Sequence, residues 1–458
     1  MNTFTASNSL GVSADALFDW HSRPGAFQRL TPPWAPIRLE EFEGIREGDR
    51  AVLRMGPGPL ALRWVAEHYD VIEGRQFCDR QVQGPFAHWE HTHRFDPIDD
   101  GRCRLVDHIE YAPPAGGLGD AVAPYLLEPE LRRQFAYRHR VTRRDLALHR
   151  RYNPEGQSKT VAVSGTSGLV GSQLVPFLRT GGHAVRRLVR SRPVGTDEIL
   201  WDPTSGAVEA EKLEGIDAVI HLAALSSYAM HEADPQRGAR VNVEGFVNVV
   251  EQARRDGCET VVYASTSSVY GDRTAPTPET VDVTAATGYE ASKLARERYA
   301  EYFRNHYGLS VAGLRYFSVY QGYGGAEEHK GGYANVIAQF AADVANGVSP
   351  TLYGDGTQTR DFTHVSDAAE ATALAAEAGL DGVYNVGTGT AHSFNAVVEA
   401  VNAALGTAVA PEYVENPIPE SVYVHDTCAD FSKLREATGW EPEIGFEEGI
   451  RRVCSAYQ

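Results

Sequence analysis

Apolar and polar residues alternate in short runs over the first third of the chain, and turn-forming residues separate these runs. An alternation with a period of two puts every second side chain on the same face, which is typical of antiparallel strands with one buried face. The pattern predicts strands at residues 4–10, 51–55, 60–71, 75–82, 87–95 and 102–111, with a hairpin turn at residues 99–101.

Two stretches of this region repeat their apolar residues with helical spacing. The first, residues 14–20, follows Ser13, whose hydroxyl can cap the helix. The second is a long helix at residues 124–151. Successive strands followed by one long helix predict an α+β domain over residues 1–152, in which a curved sheet grips the helix around a cavity. A polar linker is predicted at residues 152–159.

Beyond residue 160 the predicted strands are apolar throughout and alternate with helices. Continuous apolar strands are buried on both faces, as in a parallel sheet covered by helices. We predict strands at residues 160–164, 184–189, 213–224, 260–264 and 382–387, and helices at residues 172–179, 243–254, 333–346 and 394–405.

Three glycines follow the first of these strands, at positions 165, 168 and 171. The first glycine permits a tight turn, the second lets the backbone approach a pyrophosphate, and the third lets the next helix lie close to the sheet. The free amides at the start of that helix favour phosphate groups. We therefore predict a dinucleotide site at Gly165, Thr166, Ser167, Gly168, Leu169, Val170 and Gly171.

The end of the second strand distinguishes the two nicotinamide cofactors, because an acid there binds the ribose hydroxyls and an arginine favours the additional phosphate. Val189 stands where an acid is expected, and Arg190 and Arg192 follow it. We therefore favour NADP as the cofactor, with NAD left open. The other predicted cofactor contacts are Asp217, expected to bind the adenine, and Leu222, Ala223 and Ala224 at the end of the third strand.

A hydroxyl-rich strand end and a tyrosine–lysine pair supply the candidate catalytic groups. Tyr289 and Lys293 are four residues apart and share one face of a helix. A phenol with a pKa of about 10 is a poor base, and a neighbouring ammonium favours the phenolate. Thr266 can hydrogen-bond a substrate oxygen on which charge develops. We predict that these three residues act together.

In this order, the motifs resemble the extended short-chain dehydrogenase/reductase family, and within it the nucleotide-sugar epimerases of the UDP-glucose 4-epimerase type. The resemblance covers residues 160–458 and includes residues 221–224, 265–271, 314–317 and 354–367. It implies a Rossmann-type, doubly wound parallel sheet with a small C-terminal substrate subdomain, and a homodimer. It also implies that Tyr289 is the base, that Lys293 holds the nicotinamide ribose, and that Arg360 binds the diphosphate of a nucleotide-sugar substrate.

Further substrate candidates narrow the reaction. Ser267 and Ser268 lack the carboxylates that related dehydratases and decarboxylases use, so epimerisation or simple carbonyl reduction remains. Ser318 and Gln321 stand where epimerases commonly have asparagine and glycine, which leaves the identity of the sugar open. The predicted substrate contacts are Ser268, Tyr316, Ser318 and Arg360.

The first 150 residues resemble START-like, helix-grip domains that some bacteria fuse ahead of an epimerase-like domain. The resemblance rests on residues 20–27, with the sequence WHSRPGAF, and on residues 30–34, with the sequence LTPPW. It implies a pocket for a small apolar ligand in this domain.

Composition excludes several other classes of function. The net charge of −18 disfavours binding to nucleic acid or to anionic membranes. Five scattered cysteines without a Cys-x-x-Cys motif indicate reduced thiols in a cytoplasmic protein. No apolar run is long enough to span a bilayer.

Four histidines of the first domain, at positions 88, 91, 93 and 108, raise the question of a metal site. His91 and His93 would share one face of a strand. No carboxylate or cysteine completes an obvious set, and a polar strand face explains these residues at least as well. We therefore predict no metal.

Three functions stay open at this point. The leading one is an NAD(P)-dependent nucleotide-sugar epimerase. The second is an NADP-dependent carbonyl reductase. The third is a non-catalytic protein that senses redox state or a ligand, although such a protein would not require Thr266, Tyr289 and Lys293.

Overall fold

The computed structural model describes residues 1–56, 61–114, 116–204, 206, 208–273, 276–322 and 326–458. These residues group into two compact units. The first unit contains residues 1–157 with 176–182, and the second contains residues 158–175 with 183–458. Within the described ranges, no helix combines the length and the hydrophobicity that a bilayer crossing requires.

The first unit contains a seven-stranded antiparallel sheet. Its strands are β1 (Asn2–Leu10), β2 (Ile37–Phe42), β3 (Arg50–Met55), β4 (Leu62–Ile72), β5 (Gln76–Gln83), β6 (His88–Asp99) and β7 (Arg102–Ala112). Their order in the sheet is β1-β7-β6-β5-β4-β3-β2. Neighbours in sequence are therefore neighbours in space, except that β1 lies beside β7.

Three helices accompany this sheet: α1 (Ala14–Ser22), α2 (Ala26–Leu30) and α3 (Gly116–Tyr152). As predicted, the Ser13 side chain caps α1 by accepting a hydrogen bond from the Ala16 amide at 3.2 Å. The core contains Leu17 and Trp20 of α1, packed together with Phe95 of β6.

A buried ion pair joins α2 to α3. Arg29 Nη2 lies 2.6 Å from Asp145 Oδ1, and Arg29 Nε donates to Asp145 Oδ2 at 2.8 Å. Since both side chains are almost completely buried, removal of either one would leave an uncompensated charge. The pair therefore fixes α2 against α3.

The pattern of the sequence located most elements of this unit but missed two. Strand β2 was not predicted, because its apolar residues are only partly buried and the residues before it are rich in proline. Helix α2 was not predicted either, and α3 begins at Gly116, before the predicted residue 124. Leu60, in the predicted strand 60–71, lies outside the described residues.

The second unit is built on a seven-stranded parallel sheet. Its strands are β8 (Thr160–Ser164), β9 (Ala184–Val189), β10 (Glu198–Leu200), β11 (Ala218–His221), β12 (Thr260–Ala264), β13 (Ser310–Tyr316) and β18 (Gly382–Val386). Their order is β10-β9-β8-β11-β12-β13-β18. The order reverses between β8 and β11, and doubly wound sheets bind their ligands beyond the carboxyl ends of the strands at such a point.

Helices connect these strands. They are α4 (Leu169–Thr180), α5 (Tyr228–Ala233), α6 (Pro235–Ala239), α7 (Gly245–Arg255), α8 (Gly288–Tyr307) and α10 (Val365–Glu377). The doubly wound architecture is thus as predicted. The predicted helix 243–254 instead begins with a π-helical turn over Arg240–Glu244 that contains Asn242, and the predicted strand 213–224 is ordered as a strand only in β11.

A smaller layer follows the main sheet. It contains α9 (Val336–Ala345), α11 (Phe394–Leu405), α12 (Ser432–Thr438) and α13 (Phe446–Cys454). Its paired strands are β14 (Val319–Tyr320) with β17 (Thr363–His364), β15 (Thr351–Tyr353) with β20 (Glu412–Val414), and β16 (Thr359–Asp361) with β19 (Ala391–Ser393). Ile337, Val397 and Ile450 are completely buried between α9, α11 and α13.

Candidate functional site

The glycine turn joins β8 to α4 at the point where the strand order reverses. Gly165 has a φ of +71°, and a Cβ atom there would lie 2.8 Å from the amide nitrogen of Ala223. A Cβ atom at Gly171 would overlap the carbonyl oxygen of Gly165. Neither position therefore accepts a side chain, and the backbone of the turn stays open to a pyrophosphate.

The predicted contacts around this turn fall into two groups. Leu222, Ala223 and Ala224 follow β11 directly, and the Ala223 amide donates to Ser164 Oγ at 3.2 Å, so this segment lies against the glycine turn. The remaining predicted residues of the turn are Thr166, Ser167 and Gly168, between β8 and α4, and Leu169 and Val170 at the start of α4.

Asp217 is a correction to the predicted cofactor site. It precedes β11, and its Oδ2 accepts a hydrogen bond from the amide of Thr160, the first residue of β8, at 2.7 Å. In a parallel sheet the beginnings of the strands lie at the edge opposite the glycine turn. Asp217 therefore does not contact a cofactor held by that turn.

Arg190 and Arg192 are exposed and follow the carboxyl end of β9, on the side of the sheet that carries the glycine turn. The prediction overlooked Asp202, which follows β10. Hydrogen bonds from the amide and hydroxyl of Thr204 lower the pKa of Asp202, and the charge of Arg190 lowers it further. This edge thus carries a carboxylate as well as the arginines.

The start of α8 positions the candidate base. Thr287 Oγ1 accepts from the Glu290 amide at 3.2 Å, and Glu290 Oε2 accepts from the Thr287 amide at 3.2 Å. This reciprocal capping box fixes the first turn of the helix, in which Tyr289 lies. Lys293 lies one turn later, with its Nζ 5.6 Å from the centre of the Tyr289 ring.

The predicted hydroxyl groups meet this pair. Thr266 Oγ1 lies 2.8 Å from Ser268 Oγ, and the Thr266 side chain lies close enough to the Tyr289 phenol to lower its pKa. The ammonium of Lys293 donates to the carbonyl oxygen of Ala264, the last residue of β12, at 2.9 Å. Thr266, Ser268, Tyr289 and Lys293 are therefore brought together at the carboxyl end of β12.

Burial controls the titration of the tyrosine and the lysine. It raises the pKa of Tyr289, and the hydrogen bond from Thr266 and the charge of Arg296 offset only part of this rise. It also lowers the pKa of Lys293 well below its usual range, and Arg296 lowers it further. In the protein without a cofactor, desolvation therefore outweighs the interactions that favour the phenolate of Tyr289.

Arg296 is a component of this site that the sequence interpretation missed. It is fully buried, and it donates to the carbonyl of Ala223 at 2.9 Å and to that of Ala264 at 3.4 Å. It also donates to the carbonyl of Asn242. Arg296 thus connects residues 222–224, which lie against the glycine turn, to the carboxyl end of β12, where Lys293 also donates a hydrogen bond. Its spacing of three from Lys293, on the same helical face, was the available signal.

The remaining substrate candidates are placed differently. The prediction did not include the contact of the Tyr316 hydroxyl with Thr372 Oγ1 of α10 at 2.7 Å, which holds this hydroxyl against the sheet–helix layer. Ser318 has a φ of +28°, a conformation that asparagine adopts more readily than serine. Arg360 donates to the carbonyls of Thr359, Val424 and His425.

The histidines of the first unit also require a correction. His91 and His93 are buried on one face of β6, and Asp79 of β5 lies opposite His91. Ligand atoms of these three side chains all lie within 4.8 Å of one another. The prediction that no carboxylate completes such a set is wrong, because Asp79 is distant in sequence. His88 and His108 do not belong to the set.

Comparison with known proteins assigns families to both parts of the chain. Residues 161–387 match the NAD dependent epimerase/dehydratase family, and residues 1–137 match a family described as polyketide cyclase / dehydrase and lipid transport. UDP-glucose 4-epimerase from Mycolicibacterium smegmatis is 32% identical over 312 residues, which represent 65% of this chain and 97% of that protein.

Two solved structures extend this comparison. UDP-glucose 4-epimerase from Thermus thermophilus in complex with NAD is 33% identical, with a TM-score of 0.55 over 65% of this chain and 98% of that chain. The nucleoside-diphosphate sugar epimerase from Corynebacterium glutamicum is 23% identical, with a TM-score of 0.70 over 99% of this chain and 96% of that chain, and therefore shows the shared fold. The chain belongs to the NAD dependent epimerase/dehydratase family, and a START-like helix-grip domain precedes its epimerase domain.

Proposed function

We propose that the second unit is a nucleotide-sugar 4-epimerase. The observation that carries the proposal is the convergence of Thr266, Tyr289 and Lys293 at the end of β12, which Arg296 joins to the segment against the glycine turn. The similarity to proteins named UDP-glucose 4-epimerase supports a hexose carried on a nucleoside diphosphate as the substrate.

A nicotinamide dinucleotide fits the residues present. A Cβ atom at the glycines of the turn would clash with neighbouring backbone, so these positions keep the turn open. The first amides of α4 can bind the phosphates of the dinucleotide. Lys293 is the candidate to hold the nicotinamide ribose. When bound, the nicotinamide would supply a reversible hydride acceptor for carbon four of the sugar.

The protein moves the proton in this reaction. Tyr289, as phenolate, takes the proton from the hydroxyl on carbon four and returns it after the keto sugar has turned, while Thr266 hydrogen-bonds the same oxygen. Because the pKa of Tyr289 is raised, the phenolate fraction increases with pH throughout the neutral and alkaline range. The rate should therefore rise with pH, and this rise should be absent in Tyr289→Phe.

The choice of cofactor is a finer part of the proposal. Arg190, exposed after β9, supports NADP, because a guanidinium at this strand end can pair with a 2′-phosphate. Asp202 lies close enough to Arg190 for the two charges to interact, and it is the competing acid. Titration of the protein with each cofactor, monitored by fluorescence, would give the ratio of the two affinities.

The remaining parts of the proposal concern substrate, partner and the first unit. Arg360 is the candidate for the diphosphate, and Ser268 and Ser318 are candidates for the sugar. We propose residues 1–152 as a separate ligand-binding domain for a small apolar molecule, residues 160–458 as the epimerase domain, and a homodimer as the assembly.

The direct test incubates the protein with UDP-glucose or UDP-galactose and measures interconversion, with NAD and with NADP. Tyr289→Phe should abolish it. Tyr299→Phe, which alters an exposed tyrosine of the same helix, is the matched control and should retain wild-type turnover. Equal turnover in Tyr289→Phe and wild type would refute the assigned role of Tyr289.

A second candidate, an NADP-dependent carbonyl reductase, is favoured by Arg190 and by Ser318 at a position where epimerases commonly have asparagine. Consumption of NADPH in proportion to a carbonyl substrate, without interconversion of sugars, would support the reductase over the epimerase.

A further inference from the structure

The first unit contains a buried cluster of carboxylates and imidazoles that the epimerase site does not use. It consists of Asp79 on β5, His91 and His93 on β6, Asp107 on β7 and His139 on α3. All but Asp79 are at least nine-tenths buried. Buried ionisable groups are costly unless they are paired or bind a metal, so this concentration within a largely apolar core requires an explanation.

Strand pairing creates the cluster. Asp79 lies directly opposite His91, and His93 lies directly opposite Asp107. Because His91 and His93 are two residues apart, their side chains leave the strand on the same face. Three adjacent strands thus place two carboxylates and two imidazoles side by side.

The distances around Asp79 match those between ligands of one metal ion. Asp79 Oδ2 lies 3.5 Å from His91 Nδ1 and 3.5 Å from His93 Nε2. These separations are long for hydrogen bonds. Two ligands of a tetrahedral zinc ion with bonds of about 2.0–2.1 Å lie roughly 3.3 Å apart. The space between the three ligand atoms therefore fits a cation.

Asp107 determines which nitrogen of His91 can bind that cation. His91 Nε2 donates to Asp107 Oδ1 at 3.2 Å, so His91 Nδ1, the atom that faces Asp79, carries the lone pair. His139 Nε2 donates to the other oxygen, Asp107 Oδ2, at 2.7 Å. Metal-binding histidines generally donate their second ring N–H to a carboxylate in this way.

His93 completes the arrangement with looser geometry. Its Nδ1 lies 2.9 Å from Asp107 Oδ1, but the alignment is too poor for a hydrogen bond, and its Nε2 faces Asp79. The cluster thus offers one oxygen and two nitrogens towards a single point.

Two carboxylates, Asp79 and Asp107, face these imidazoles, and the half-buried guanidinium of Arg138 interacts with both. The same carboxylates raise the pKa of His93, so a proton on this imidazole competes with a metal ion for the same place.

We propose that Asp79, His91 and His93 bind one divalent transition-metal cation, with Asp107 and His139 as the supporting shell. Two imidazoles and one carboxylate are a ligand set that suits Zn(II), Co(II) and similar ions, and it leaves at least one coordination position for water or another ligand. The five cysteines are not part of the site. The proposal does not depend on the epimerase activity.

The test uses the full-length protein after treatment with a chelator and dialysis. Titration with Zn(II) against a chromophoric chelator should show one site per chain, and Co(II) should give visible absorption bands of a low-coordinate site without a thiolate charge-transfer band. Failure of the wild-type chain to bind one equivalent of either ion would overturn the proposal without the use of any variant.

Variants then identify the ligands. His91→Ala and Asp79→Asn should each weaken Zn(II) binding at least a hundredfold, with circular dichroism used to verify folding. His108→Ala is the matched control, since His108 lies on the adjacent strand and bonds Thr5 outside the cluster. Equal loss of affinity in His108→Ala, or none in folded His91→Ala, would place the metal elsewhere and overturn the assignment.

Discussion

One polar cluster in each unit combines ionisable groups in a different way. In the second unit, Lys293 and Arg296 are buried side by side on α8 next to Tyr289 and form a cationic site, and Glu297, the carboxylate that follows them, is already paired with Arg315 at 2.6 Å. In the first unit, Asp79 and Asp107 lie among the imidazoles of His91, His93 and His139. Buried cationic side chains suit an anionic cofactor and a developing oxyanion, and carboxylates together with imidazoles suit a metal cation.

The comparison also shows two ways of building a buried polar site. The cationic site depends on a single helix whose residues at positions 289, 293 and 296 lie on one face, so a local sequence pattern encodes it. The cluster of Asp79, His91 and Asp107 depends on the register of three antiparallel strands. Its residues have no fixed spacing in sequence.

The largest effect is expected from Tyr289→Phe. Removal of the phenolic oxygen should lower kcat by about 10²–10⁴-fold, the range for loss of a general acid–base group. KM should change little, because the ring and its packing against His231 are retained. Steady-state kinetics with a nucleotide sugar would measure both parameters. A large increase in KM with a normal kcat would show that Tyr289 binds substrate but takes no part in the chemical step.

A smaller effect is expected from Asp107→Asn. The amide cannot accept hydrogen bonds from His91 and His139 as strongly as the carboxylate, so Zn(II) affinity should fall by about 10–100-fold while one site per chain is retained. Competition titration measures the change. Unaltered affinity would show that Asp107 does not support the ligands.

Arg190→Ala tests whether the arginine after β9 recognises the additional phosphate of NADP. Loss of this guanidinium should weaken the binding of NADP by about tenfold, or about 1.4 kcal/mol, and leave the affinity for NAD unchanged. Arg192→Ala, two residues farther along the chain, serves as the comparison and should have the smaller effect. Equal effects on both cofactors would show that Arg190 does not recognise the additional phosphate.

The smallest effect concerns stability. Since the pKa of Lys293 is lowered on folding, the folded state is penalised at every pH at which the unfolded lysine is protonated. Lys293→Met should therefore raise the free energy of unfolding by about 1 kcal/mol at neutral pH. This gain in the free energy of unfolding should be full below the lowered pKa and disappear as pH approaches the ordinary pKa of lysine. Urea unfolding of the variant and the wild type at several pH values measures it. A difference between the two proteins that stays constant with pH would show that the lowered pKa of Lys293 is not its cause.

Much of the fold and part of the site could be predicted from the sequence. The glycine turn, β9, β12 and the Tyr289–Lys293 pair follow from local periodicity and composition, which the structure retains. Arg296 was accessible by the same argument of helical spacing. These features depend on neighbours within seven residues of one another.

The errors share a different cause. The position of Asp217 relative to the cofactor depends on which end of a parallel strand it precedes, and the environment of the Tyr316 hydroxyl depends on packing against Thr372, 56 residues away. Asp79 joins His91 only through the pairing of β5 with β6. Local sequence carries no record of these distant contacts.

The central proposal is that the second unit inverts carbon four of the sugar by removing and returning the hydrogen of this carbon as a hydride. UDP-glucose that carries deuterium at this carbon, converted in ordinary water and analysed by mass spectrometry, tests it most directly. The account predicts UDP-galactose that retains the deuterium, formed far more slowly by Tyr289→Phe. Rapid formation of UDP-galactose with the label lost to water would contradict it.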